Sequence, residues 1–204
     1  MCTDTHKNQK ERPRTGRDRR GKGKFMSLKS GIFNSTTVET TASGLLRGNK
    51  AVDAAFLAKL FSCLVTNGAS QEFGGGFASA VTDGTMKIVT SPGACFINGY
   101  FAYDDARETR SFAASAADRT AARILRLDLT DGSIKVLWRE CMRYGNTLLS
   151  KEDGLELPIR SGNVYDLVTC VVDIPANTAA LTQDMVTDTR GDATLCGFCH
   201  ICGA

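Results

Sequence analysis

The 204 residues are 42% hydrophobic and 23% charged, which excludes pervasive disorder and fibrous repeats and allows a core that needs no staples. Twenty glycines against four prolines favour tight turns over long helices, and no apolar run is long enough for a membrane-spanning helix. The net charge of +3 is uneven: residues 1–25 hold nine Lys and Arg against three acidic residues, so the rest is net negative by three, which argues against a nucleic-acid-binding body.

Residues 1–25 have almost no large apolar side chain to offset the entropy of ordering, and they lack the apolar stretch of a secretion signal. They read as a disordered basic tail, an expression remnant or translated upstream sequence, because Met26 looks like a natural start. Residues 26–72 read as an N-terminal arm and helix. Apolar residues recur at helical spacing over 49–66 (Val52, Phe56, Leu57, Leu60, Leu64), and Asn67-Gly68 supplies the stop. Residues 73–204 read as a β domain with a short Cys-rich end. Short runs at 77–81, 86–90, 94–97, 100–103 and 109–112 are separated by turn residues, with Asp83-Gly84 and Asn98-Gly99 marking hairpins. A second hairpin joins 122–129 to 134–139 across Asp131-Gly132. Residues 144–163 look like an excursion loop, and 164–172 like part helix and part strand. The expected fold is mainly β: one N-terminal helix, then a compact antiparallel β-sandwich-like domain of about six to nine short strands.

Groups that could do chemistry are sparse. His6 and His200 are the only histidines, no Gly-x-Ser-x-Gly elbow is present, and Gly74-Gly75-Gly76 lacks the Lys-Ser/Thr of a phosphate loop. The acidic clusters at Asp104, Asp105 and Glu108 and at Glu152 and Asp153 fall at turns, where such residues are solvated loop formers. One or both of Arg123 and Arg126 are expected at the sheet surface, solvated or paired with Asp128. Asp188 and Arg190 are placed to form a local pair. No enzymatic activity is expected.

Cys2, Cys63, Cys95, Cys141 and Cys170 are scattered, several in apolar settings where a thiol serves as a small core residue. Cys196, Cys199 and Cys202 differ: the C-x2-C-x2-C spacing can hold an ion such as zinc, with His200 inside it. Cys196 to His200 also spells the C-x-x-C-H of haem attachment, which would require export. Against both stands the reading in which Cys196 packs in the core and Cys199 and Cys202 are incidental, leaving no cofactor.

Five segments occur in an order that resembles one protein family. Phe61 to Gly68 is similar to an "F…NG" helix end, and Ser91 to Tyr103 to a "PG…INGY" hairpin. Ile124 to Leu129 is similar to a "VLRLDL" strand, and Tyr165 to Ala176 to a "Y.L…V.VPA" segment. Thr187 to Arg190 with Leu195 to Gly197 is similar to a "TDTR…LCG" ending. Together they resemble the peripheral, upper-baseplate and tail-tip structural proteins of tailed phages and prophages of Gram-positive bacteria. The resemblance implies a non-enzymatic virion component made in the host cytoplasm and built into the tail. It would be a homotrimeric adaptor attaching peripheral or receptor-binding parts to other tail proteins. Two alternatives accompany it: a receptor-binding protein for host cell-wall saccharide, and a small metal- or redox-active protein using the terminal cysteines.

Overall fold

The computed structural model describes residues 54–203 and, before them, the backbone of three strand segments at 29–31, 39–40 and 46–47. The basic tail and the first residues of the expected helix lie outside the described residues. The described elements begin with β1 (Lys29–Gly31), β2 (Glu39–Thr40), β3 (Leu46–Arg47) and the helix α1 (Ala54–Leu64). There follow β4 (Gly68–Ala69), β5 (Ser79–Thr82), β6 (Lys87–Thr90), β7 (Gly93–Ile97), β8 (Tyr100–Asp104) and β9 (Glu108–Ser111). The second half comprises β10 (Arg119–Asp128), β11 (Ser133–Tyr144), β12 (Thr147–Ser150), β13 (Glu156–Leu157), β14 (Arg160–Ser161), β15 (Val164–Ile174) and β16 (Val186–Asp188). One helix followed by an antiparallel β domain is the architecture expected from the sequence.

The scaffold is a long sheet in the order β13-β12-β11-β10-β15-β14, with β16 also paired to β15. On β10 the residues Ala121, Arg123, Leu125 and Leu127 share one face, as strand alternation requires. Two smaller sheets cover that face. The four-stranded sheet β1-β8-β7-β4 brings Cys95, Ile97 and Ala102 against Leu125, Leu127, Ile134 and Leu167. The three-stranded sheet β5-β6-β9 belongs to a second cluster, in which Ile88 and Phe112 pack with Ala121, Cys170, Val172 and Ile174. The opposite face of the long sheet is closed by its own curling edge, where Leu148 of β12 and Leu157 of β13 pack on Ala122, Ile124, Val168 and Val171.

Several local expectations are corrected. Residues 164–172 are not part helix: Val164 to Ile174 is one continuous strand, buried along most of its length and paired with β10. Its apolar run carries no alternation because both faces are covered. The excursion at 144–163 contains three short strands, β12, β13 and β14, which form the curling edge and an added strand on β15.

Arg123 is not at the surface. Its side chain is 1% exposed at the seam between the two clusters, donating from Nε to Glu108 Oε2 at 2.8 Å and from Nη1 to Thr169 Oγ1 at 3.1 Å. The guanidinium lies 5.1 Å from the Phe77 ring centroid. Thr169 is the extra residue of a bulge in β15, where the register slips opposite Arg123 and Ile124. Glu108 is therefore no solvated loop former, since it also accepts from Trp138 Nε1 at 2.8 Å. Arg126 pairs with Asp166 rather than Asp128, in a two-pronged bond of 2.7 and 2.8 Å. Asp166, fully buried, also accepts from the Ile159 amide and so fastens the excursion to the sheet.

Candidate functional site

The helix α1 sits on the tip of the β7–β8 hairpin. Asn98 and Gly99 both take positive φ, 49° and 78°, the two-residue turn that their chemistry favours. The helix contacts this tip through small residues: Ala54 and Ala58 are its buried positions. A Cβ on Gly99 would stand 1.7 Å from the Ala58 carbonyl oxygen, so the approach requires glycine. Just past the helix, Asn67 and Asn98 bond reciprocally: the Asn98 amide donates to Asn67 Oδ1 at 2.7 Å, and Asn67 Nδ2 donates to Asn98 Oδ1 at 3.2 Å.

Leu57 and Phe61 are half-buried, and three other large apolar side chains of α1 point outward. Phe56 is 62% exposed, Leu60 45% and Leu64 47%. Their i, i+4, i+8 spacing makes them one straight ridge along the helix. Ile201, 67% exposed, pairs with Val65 just beyond the helix end and extends the apolar surface. A row of rings continues it over the outer face of the four-stranded sheet. Phe61 packs on Phe96 (6.1 Å between centroids), Phe96 on Phe101 (5.1 Å), Phe101 on Tyr103 (6.0 Å) and Tyr103 on Phe73 (5.8 Å). Sequence reasoning placed the helix but assigned its apolar residues no outward role. Periodicity alone does not say which side of a helix with two apolar faces will be covered.

Asp188 and Arg190 do form the expected local pair, with Nε and Nη2 of Arg190 donating to the carboxylate at 2.6–3.1 Å. Arg190 Nη1 also donates to the carbonyls of Gly75 and Gly76, at 2.9 and 3.0 Å, a clasp between distant segments that no local pattern reveals. Hydrogen bonds from Arg190 hold the Asp188 carboxyl below the ordinary range, and bonds from Thr194 do the same for Asp192. Both carboxylates border a cleft of about 230 Å³ with Arg143, Asn146, Thr187 and Thr194.

The three terminal cysteines occupy three environments. Cys196 is buried in the core beside Cys95, and burial pushes its thiol up to about 12. Cys199 is half-buried with its thiol also raised by desolvation, and Cys202 is exposed. The segment lies along the end of α1 and β4: the Cys199 amide donates to the Ala69 carbonyl and the Cys202 amide to the Leu64 carbonyl. His200 turns to Thr66, with Nδ1 at 3.2 Å from its hydroxyl. Among the described residues no group of three or more His, Cys, Asp or Glu side chains is placed to hold a metal ion. Cys95, missed by spacing, is the thiol that shares the core with Cys196; burial, then the nearby Cys196 and Cys199, raise it. Of the other cysteines among the described residues, Cys141 and Cys170 are buried as expected of core residues, while Cys63 is exposed on α1.

No family model, curated protein or solved structure matches this chain. Among the described residues no helix is long and apolar enough to cross a membrane.

Proposed function

We propose that the chain is a non-enzymatic structural adaptor of a phage tail, a homotrimeric baseplate or tail-tip component that joins peripheral or receptor-binding parts to the tail. The observation that carries this reading is the outward apolar ridge of α1, held on a rigid hairpin and continuous with a row of aromatic rings. Such a surface suits a protein whose work is to be covered by another protein. Cross-ties between distant segments lend support: Arg123 with Glu108, Arg126 with Asp166, and Arg190 with the Gly75 and Gly76 carbonyls make the support of this surface rigid. The order of the five sequence segments adds the family and the threefold symmetry to this reading.

The test is mass spectrometry of gradient-purified virus particles from cells that carry the gene. The chain is expected to co-sediment with tail proteins at a fixed ratio. Recovery only in the unassembled fraction, with particles otherwise complete, would remove the adaptor reading.

A further inference from the structure

We propose that Cys63, at the end of α1, and Cys202, in the C-terminal segment, are a disulfide-forming pair that locks that segment onto the helix under oxidising conditions. The proposal stands without the adaptor reading.

Residues 196–202 run back along β4 and the end of α1. The Ala69 amide donates to the Gly197 carbonyl at 3.0 Å, and the Cys199 amide to the Ala69 carbonyl at 2.9 Å. Further along, the Thr66 amide donates to the His200 carbonyl at 2.9 Å, and the Cys202 amide to the Leu64 carbonyl at 2.8 Å. Val65 and Ile201 form an antiparallel bridge, so Leu64 lies opposite Cys202. Opposed residues in such a pair have Cα atoms about 4.5–5.5 Å apart, and Cys63 is one residue, about 3.8 Å, from Leu64. Two such steps at right angles put the Cα atoms of Cys63 and Cys202 roughly 6 Å apart, within the span of a disulfide. Both side chains are exposed, so their rotamers can change without disturbing the core.

Exposure and position select this pair. Among the described residues Cys63 and Cys202 are the exposed cysteines, whereas Cys95, Cys141, Cys170 and Cys196 are buried. Cys199 is half-buried, and the segment it shares with Cys202 is bridge-paired at Phe198 and Ile201. Extended backbone there separates the two by roughly 10 Å, too far for a disulfide. Ile201 is 67% exposed, so backbone bonds more than buried surface hold the end of the segment, and a covalent link would change its hold.

The oxidant is a low-molecular-weight disulfide such as oxidised glutathione. One protein thiolate attacks a sulfur of the oxidant and displaces glutathione as its thiolate, leaving a mixed disulfide. The second protein thiolate attacks the protein-bound sulfur and displaces the second glutathione. The S–S bond of the oxidant breaks and the bond between Cys63 and Cys202 forms. The two protein thiols lose two electrons and two protons, which leave in the two glutathione thiols. A reducing cytoplasm keeps such a pair open, and oxidising surroundings close it.

The full chain, reduced and then equilibrated with oxidised glutathione, is digested without reductant and mapped by mass spectrometry. A peptide joining Cys63 to Cys202 is expected, and each chain, weighed under denaturing conditions, should be lighter by two hydrogens than its reduced form. Cys63→Ser and Cys202→Ser should each abolish the link and leave the remaining cysteine of the pair carrying one glutathione. In the linked form the Cys202 amide should exchange its hydrogen severalfold more slowly than in the reduced form. Glutathione carried stably on both cysteines, a link between chains in place of the internal one, a link from Cys199 to Cys202, or equal exchange in the two forms would overturn the proposal.

Discussion

Gly99 lies directly beneath Ala58: a side chain at Gly99 would meet the Ala58 carbonyl oxygen at 1.7 Å. This contact fixes the helix to the hairpin at Ala54 and Ala58 and leaves Phe56, Leu60 and Leu64 outward. Replacing Gly99 with Ala adds a left-handed-backbone cost of about 1–2 kcal/mol to the collision itself. Urea unfolding of Gly99→Ala is expected to show at least that loss. A variant as stable as the parent would mean that helix and hairpin are not packed as described.

The buried pair of Arg123 and Glu108 joins the three-stranded sheet to the long one. Truncating Glu108 strands a desolvated guanidinium, and Glu108→Ala is expected to cost about 3–5 kcal/mol. Replacing both residues, Arg123→Met with Glu108→Leu, should recover most of it, because the pair's desolvation is then removed as well. Denaturant midpoints of the three proteins decide. A single substitution costing less than about 1 kcal/mol, the range of a surface pair, would contradict the burial of this contact.

Stability should fall at alkaline pH. Burial raises the thiols of Cys95, Cys141, Cys170 and Cys196 above their ordinary value, Cys141 to about 11 and Cys196 to about 12. A folded pKa above the unfolded one means that the native state keeps protons the unfolded chain releases. The contribution is complete below the ordinary thiol range and lost as pH rises through it toward the folded values. Unfolding free energies from urea titration should therefore drop between about pH 9 and pH 11, by up to about 1.4 kcal/mol per pH unit for each thiol. The drop should be smaller in Cys141→Ala. A flat profile would show these thiols to be accessible in the native state.

Because Cys196 lies in the core and Cys202 at the surface, one ion shared by the terminal thiols would require Cys196 to leave the core. Added zinc should leave the melting temperature of the reduced protein unchanged. Zinc bound at a fixed ratio per chain, and lost in Cys199→Ser and Cys202→Ser, would establish the site instead.

The parts of this fold that the sequence discloses are those set by local chemistry. Asn98-Gly99 dictates its own turn, Asp188 and Arg190 are near enough to pair unaided, and the i, i+4 apolar residues make α1 a helix. What escapes is set by contacts between distant segments. Arg123 reads as a surface residue because β10 alone does not reveal that a bulge at Thr169 and the side chain of Glu108 will enclose it. The strand at Val164–Ile174 resembles a mixed element because, covered on both faces, it loses the alternation that identifies strands. The outward sense of α1 was hidden for a related reason. Its alanines and its larger apolar residues both repeat at helical spacing, and only the close approach at Gly99 decides which side faces in.

For the proposed adaptor role in a virus tail, the location of the chain on the particle is the most direct measurement. Antibodies raised against the folded body and visualised with gold by electron microscopy are expected to mark one end of the tail, at its baseplate or tip. Gold absent from intact tails, in preparations where the same antibodies detect the chain in the producing cells, would contradict the account.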